Sequence, residues 1–349
     1  MNVDQKLTAI RDLIQQDVGH RGLARDPLDN LLTATRNDFA NACASIADHS
    51  SPSVAVVTGF IIPTVDPARP ETDGPLGSIF LCRACRSLGI QIAILAEGDV
   101  RPSLWSALAR LDLEREVFMV TLEPNWKRYP YSTPAPSAER GQILHGTIRV
   151  NVPNYTHLIA IERVGPNHTL DSLRRQPATT DRDVAAFAAA VPEPRRGRYF
   201  TMKGRDITDL MHPAHHVFER DEDQDTVVTV GIGDGGNEIG MGKLPWDTIR
   251  RNIPNGELVA CRVPTDHLIV AGVSNWGAYA IAAGVALLRG VELPAELFDP
   301  NREREILRVM VEKGPLIDGV TGKQTATVDG LSWDDYIRPL VEIGKIVRG

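Results

Sequence analysis

The sequence predicts an α/β fold: a mainly parallel sheet flanked by helices, with a helical N-terminal extension. Two observations carry this. Short apolar, β-branched runs alternate with helix-length amphipathic patterns along most of the 349 residues, the order expected of βαβ units. Several strand-like runs open directly into loops rich in glycine and carboxylates, as where Thr226-Val-Val-Thr-Val230 meets Gly231, and open α/β sheets place their ligands at such strand ends. The simplest partition is residues 1–50 as the extension and residues 51–349 as one α/β domain.

The elements follow in order. Residues 1–18 set Val3, Leu7, Ile10, Leu13 and Ile14 on one helical stripe. Residues 27–48 read as a second helix with Pro27 near its first turn. The β-branched run 53–58 is a buried strand that enters the loop 59–74, and Pro75 opens a helix over 75–88. A strand at 91–96, a helix at 104–111 and a strand at 117–120 come next. Residues 123–136 are rich in proline and aromatics and read as a surface loop; 139–145 reads as helical and 158–161 as a strand. Residues 164–200 break the rhythm with Arg174, Arg175, Arg195, Arg196 and Arg198, and read as an excursion around an alanine-rich helix at 183–190. The strand 226–230, a strand at 258–263 and helices at 275–289, 300–313 and 333–347 complete the pattern.

Composition narrows the function. The net charge of −7 offers no basic footprint for nucleic acid or an anionic membrane. No apolar run approaches the roughly 18 residues of a membrane helix, and MNVDQKLTAIRDLIQQ lacks the apolar core of a signal peptide. Four cysteines do not suggest a disulfide framework. Cys82 and Cys85 form a C-x-x-C inside a helical pattern, with no second ligand pair beside it. The expectation is a cytoplasmic enzyme acting on a small molecule, with homo-oligomerisation left open.

The glycine loop Gly231-Ile-Gly-Asp-Gly-Gly-Asn-Glu-Ile-Gly-Met-Gly-Lys243 is the strongest candidate site. Six glycines let a backbone approach a ligand closely. Asp234, Asn237, Glu238 and Lys243 add chemistry that a plain turn does not need. The loop matches G-x-G-x-x-G literally, but Asp234 and Glu238 would repel a pyrophosphate, so no nucleotide cofactor is expected. A second acidic loop, Pro70-Glu71-Thr-Asp-Gly-Pro-Leu-Gly77, follows the strand ending in Thr58-Gly59; Asp73 reads equally as a helix cap. A third lies at Ile317-Asp-Gly-Val-Thr-Gly322, with Asp329-Gly330 behind it. Convergent carboxylates bind a divalent cation or raise one another's pKa. Met202-Lys-Gly-Arg-Asp-Ile-Thr208 adds two cations, and His212, His215 and His216 form an H-x-x-H-H that lacks the glutamate of H-E-x-x-H. Ala271-Gly-Val-Ser-Asn-Trp-Gly277 reads as a helix start with Ser274 as its cap, whose free N–H groups can hold a carboxylate. Trp276 there reads equally as core.

These segments resemble the D-glutamate cyclase family, in the domain that forms the C-terminal part of its mammalian mitochondrial members. The likeness rests on Gly233-Asp-Gly-Gly-Asn-Glu-Ile-Gly-Met-Gly-Lys243, Thr58-Gly-Phe60, Glu71-Thr-Asp-Gly-Pro-Leu-Gly77, Glu162-Arg163, Met202-Lys-Gly-Arg-Asp-Ile-Thr208, Ala271-Gly-Val-Ser-Asn-Trp-Gly277 and Asp318-Gly-Val-Thr-Gly322, in the family's order. The resemblance implies an α/β domain and conversion of D-glutamate to 5-oxo-D-proline with loss of water. It also marks a departure: Arg196-Gly197 stands where the family has Asp-Gly, and Thr201 where it has Asn.

Lactam closure needs a deprotonated amine and a neutralised carboxylate. The expected catalytic and metal-holding residues are Asp73, Asp234 and Glu238, with Asp318 as a further ligand for magnesium, manganese or calcium. Lys203, Arg205 or Lys243 would pair the substrate's α-carboxylate. Thr58, Gly59, Glu71, Thr72, Ser274 and Asn275 would contact the substrate, and the N–H groups of Gly235, Gly236 and Asn237, or the helix start at Ser274, would meet the oxyanion. Two alternatives share the same loops: a metal-dependent phosphohydrolase, and a non-catalytic small-molecule or metal-binding protein.

Overall fold

A computed structural model of the protein describes residues 1–122, 155–219 and 227–349. The readings at 123–136 and 139–145 lie outside the described residues. The chain begins with α1 (Val3–Ile14), capped by Asn2, whose side chain accepts from the Gln5 N–H. The helix expected over 27–48 divides in two, α2 (Leu31–Ala34) and α3 (Asp38–Asp48). Pro27 stays outside both, because Asp26, Asp29 and Asn30 form a capping loop ahead of α2.

The main sheet takes β1 (Ser53–Thr58) as its first strand. A two-stranded ribbon of β2 (Ile61–Ile62) and β3 (Arg69–Pro70) follows. Then come α4 (Pro75–Ser87), β4 (Gln91–Glu97), α5 (Arg101–Arg110), β5 (Phe118–Leu122) and β6 (His157–Ile161). The arginine-rich stretch holds α6 (Leu170–Arg175) and α7 (Asp181–Ala190). The rest is β7 (Val228–Gly233), α8 (Trp246–Asn252), α9 (Gly256–Val259), β8 (His267–Val270), α10 (Ser274–Arg289), α11 (Pro300–Lys313) and α12 (Trp333–Arg348).

The strands order as β5-β4-β1-β6-β7-β8, all parallel. The sheet is therefore doubly wound, and the order reverses between β1 and β6, where such sheets open a ligand crevice at their carboxyl ends. The β1 side chains alternate: Val54 and Val56 join one core, Ala55 and Val57 the other. Burial on both faces explains why the parallel strands read as unbroken apolar runs, each fully buried Val or Ile contributing about 1.5–3 kcal/mol.

One face is covered by α1, α3, α4, α5, α10, α11 and α12. The expected excursion helps cover the other: Leu173, Phe187 and Val191 pack with Trp246 and Ile249 into the second core. The expected strand at 258–263 is a correction. Leu258 and Val259 end the short α9, and Cys261 and Pro264 make only isolated bridges. The true edge strand is β8, four residues long and beginning three residues after Pro264, the proline that interrupts the pattern.

Candidate functional site

Three chain segments meet at the carboxyl edge of the sheet. Thr58 ends β1, Glu162 follows β6 and Asp234 follows β7, so the site straddles the reversal of strand order. The loop bearing Asp73 returns to this edge. A carboxylate oxygen from each of Asp73, Asp234 and Asp329 lies within 4.8 Å of the others, and Glu162, Asp234 and Glu238 form a second such group. Asp234 belongs to both.

Asp73 is held by the start of α10. Its Oδ2 accepts the Ser274 N–H at 2.9 Å and its Oδ1 the Asn275 N–H at 2.8 Å. Asp73 thus caps a helix remote in sequence, while α4 begins at Gly74 without a side-chain cap. The N–H groups read as free for a substrate are taken by Asp73. Asn275 completes the clamp: its Oδ1 accepts from Gly74 at 2.9 Å and Gly77 at 2.6 Å. The Ser274 hydroxyl donates to Glu162 Oε2 at 2.6 Å. Trp276 is core, its Nε1 donating to the Tyr336 carbonyl at 2.9 Å.

Glu162 sits in the left-handed region at φ 45° and Asp329 at φ 54°, conformations that non-glycine residues adopt at a cost. In the glycine loop, Gly236 needs its φ of 89°. Gly235 answers a different demand, since a Cβ there would lie 2.7 Å from Met202 Cγ. Asp234, Asn237 and Glu238 are each 1% exposed. Asp234 Oδ2, Glu238 Oε2, Asn237 Oδ1 and Thr58 Oγ1 are buried with no hydrogen-bond partner, and buried oxygens seldom stay so without a ligand to fill them.

Burial dominates the electrostatics. It raises the Asp73 carboxyl to about 7, helped by Asp329 and opposed by the N–H groups of Asn275 and Ser274. Burial also raises Glu71 and Glu162 well above the usual range, with neighbouring acids adding to it. It raises Asp329 and Glu238 too, the latter against backbone amides including those of Gly235 and Gly236. Those amides, expected at an oxyanion, attend Glu238 instead.

Among the described residues, one cation enters this cluster, and it is absent from the sequence-based set. Arg21 pairs with Asp234, and its Nη2 donates to Asp329 Oδ2 at 2.7 Å. Burial opposes its charge, but Asp329, Glu162, Asp73 and Glu238 outweigh that and raise its pKa. Nothing in the local pattern around Arg21 marks it, because it lies between two helices of the extension. Glu162 and Asp329 were visible only as part of a Glu-Arg pair and an Asp-Gly turn.

The other expected residues divide. Glu71 and Thr72 dock the 317–330 loop: Thr72 N–H donates to the Ile317 carbonyl at 2.9 Å, and Gly319 leaves room for the Glu71 carboxylate. Asp318 spends both oxygens on its own loop, Oδ1 accepting from Val320 and Thr321 and Oδ2 from Thr327 Oγ1 and Gly330. The Gly59 carbonyl accepts from Arg163, which also pairs with Glu97. Lys243 pairs with Asp38 and donates to the Asp266 carbonyl, away from the acids. Lys203 and Arg205 are exposed on the turn whose Met202 packs on Gly235. Arg196, where the family has an acid, turns onto α7, donating to the Val191 and Ala188 carbonyls. His215, His216 and Glu219 group with ligand-like spacing, but Arg262 already donates to Glu219 at 3.1 Å, and His212 points its Nδ1 at the Leu122 carbonyl. Cys82 and Cys85 are buried in the core, and burial pushes the Cys85 thiol up to about 12. No helix among the described residues is long and apolar enough to cross a membrane.

Comparison with known proteins accords with this geometry. The family model described as D-glutamate cyclase-like, C-terminal, matches residues 10–175 and 189–343. D-glutamate cyclase, mitochondrial, from Homo sapiens is 26% identical over 369 residues, covering 98% of this chain and 52% of that protein. The chain thus spans about half the length of the curated relative it matches.

Proposed function

Since the chain belongs to the D-glutamate cyclase-like family, we propose that it is a hydro-lyase that closes D-glutamate to 5-oxo-D-proline with loss of water, or a close relative acting on a similar small carboxylate. The observation that carries this is the pair of carboxylate groups sharing Asp234, with the outer oxygens of Asp234 and Glu238 buried and unpartnered. Lactam closure transfers protons at two atoms: the ammonium must lose two, one before it attacks and one as the lactam forms, and the leaving carboxylate oxygen must gain two to depart as water. Asp234 takes the role of base toward the ammonium. Glu238, whose carboxyl burial raises, takes the role of acid toward the leaving oxygen. Asp73, locked by α10, holds the field around both, and the closed site favours the folded conformation of the substrate in which amine and carboxylate meet.

The donor set also suits a hard divalent cation. Glu162, Asp234 and Glu238 would hold it, and when bound it would neutralise the carboxylate under attack. Asp318, occupied by its own loop, is left out of that set. Cytoplasmic residence is part of the same proposal. Incubation with D- and L-glutamate, with and without divalent metals, tests it by mass spectrometry. Oxoproline from the D isomer is the expected result. Turnover of neither isomer, together with hydrolysis of a phosphate ester, would replace this reading with a metal phosphohydrolase.

A further inference from the structure

We propose that Arg21 binds the substrate's α-carboxylate, and that it changes partners to do so. Its guanidinium lies on Asp234 and Asp329; with substrate, the ammonium takes that place and the guanidinium turns onto the α-carboxylate. The inference rests on the reading above, in which the substrate is an amino acid with a second carboxylate.

Charge is the first argument. Glu71, Asp73, Glu162, Asp234, Glu238 and Asp329 surround the site; burial favours the protonated form of several of them, and those that ionise repel a substrate carboxylate unless a cation meets it. Among the described residues, no lysine or arginine other than Arg21 forms an ion pair with any of these acids. The three cations expected for this task stand elsewhere, Lys243 on Asp38 and Lys203 and Arg205 on an exposed turn. A guanidinium also matches a carboxylate with two parallel N–H donors, which an ammonium cannot do.

Placement is the second. Asp17 accepts three backbone N–H groups, from Arg21 and Gly22 at 2.8 Å and from Leu23 at 3.1 Å, and so fixes the arm that carries the side chain. Arg21 keeps 14% of its side chain exposed, against 2% for Asp234. It is therefore the more solvent-accessible member of the pair.

The third is a set of buried acceptors. Asp234 Oδ2 and Glu238 Oε2 lack partners, as do the buried Asn237 Oδ1 and Thr58 Oγ1. An ammonium offers three N–H donors, which suits Asp234 Oδ2 and Glu238 Oε2, oxygens of two residues in one carboxylate group, of which Asp234 is paired with the guanidinium that the ammonium would displace.

The test compares D-glutamate with 4-aminobutyrate, the same skeleton without the α-carboxylate, by titration calorimetry on folded wild type, Arg21→Gln and Arg21→Lys. Wild type is expected to prefer D-glutamate by roughly tenfold or more, the scale of one bidentate charged contact. Arg21→Gln is expected to erase that preference, with Arg21→Lys between the two. Equal weakening of both ligands in Arg21→Gln, or D-glutamate binding unchanged in either variant, overturns the assignment while leaving the proposed reaction standing. Wild type that neither binds nor converts D-glutamate brings down the reaction itself.

Discussion

The Ser274 hydroxyl donates to Glu162 Oε2 at 2.6 Å, while the same residue's N–H donates to Asp73 Oδ2 at 2.9 Å. A single serine at the start of α10 thereby fixes two acids from two different strand ends. Ser274→Ala removes the first bond and keeps the second. Burial raises the Glu162 carboxyl well above the usual range, so the ordinary net worth of a hydrogen bond applies, about 0.5–1.5 kcal/mol, and a stability loss in that range is expected from urea unfolding, with Asp73 still clamped. A loss below a few tenths of a kcal/mol would show that Glu162 does not depend on Ser274.

Asp73 sets a pH dependence with a definite sign. Its folded carboxyl is raised from 3.8 to about 7, so between those values the folded protein binds more protons than the unfolded chain. Stability from this group is fullest at the acid end and falls as pH rises toward 7. Glu71, Glu162, Glu238 and Asp329 are shifted in the same direction. The unfolding midpoint in urea, followed from pH 4 to 8, should fall less steeply in Asp73→Asn than in wild type. Parallel curves would contradict the shift. The asparagine also strands one of the two N–H groups it faces, which is expected to cost about 1–3 kcal/mol at all pH values.

Metal binding is a separable expectation. Magnesium, manganese or calcium added to ion-stripped protein should raise the melting temperature, since a native-state ligand at one hundred times its Kd contributes about 2.7 kcal/mol. The rise should vanish in Asp234→Asn. A rise that survives that substitution would put the ion elsewhere, and no rise would leave the acids to work on protons alone.

Much of this was legible in the sequence because burial on both faces makes parallel strands read as apolar runs. The runs at β1, β4, β6 and β7, and the acidic loops that follow β1 and β7, were visible for that reason, and Asp73 and Glu238 each lie close to Asp234. What stayed hidden depends on long-range pairing. Asp73, which reads equally as a cap of its own helix, instead caps α10, 201 residues away. Lys243 looked available and instead ties α3 to the β8 edge through Asp38, which also accepts the Leu268 N–H at 2.7 Å. Arg21 belongs to no local pattern, and only the fold of the extension brings it to the acids. β8 was missed because four residues after a proline carry too little periodicity to stand out.

The most direct test of the central claim is oxoproline formation from D-glutamate by wild type and by Asp234→Asn, with equal melting temperatures as evidence of an intact fold. The substitution is nearly isosteric and removes the one acid common to both carboxylate groups. A rate loss on the order of 100-fold or more is predicted, as for loss of a general acid or base. Normal turnover by a folded Asp234→Asn would contradict the account and leave the glycine loop a structural turn.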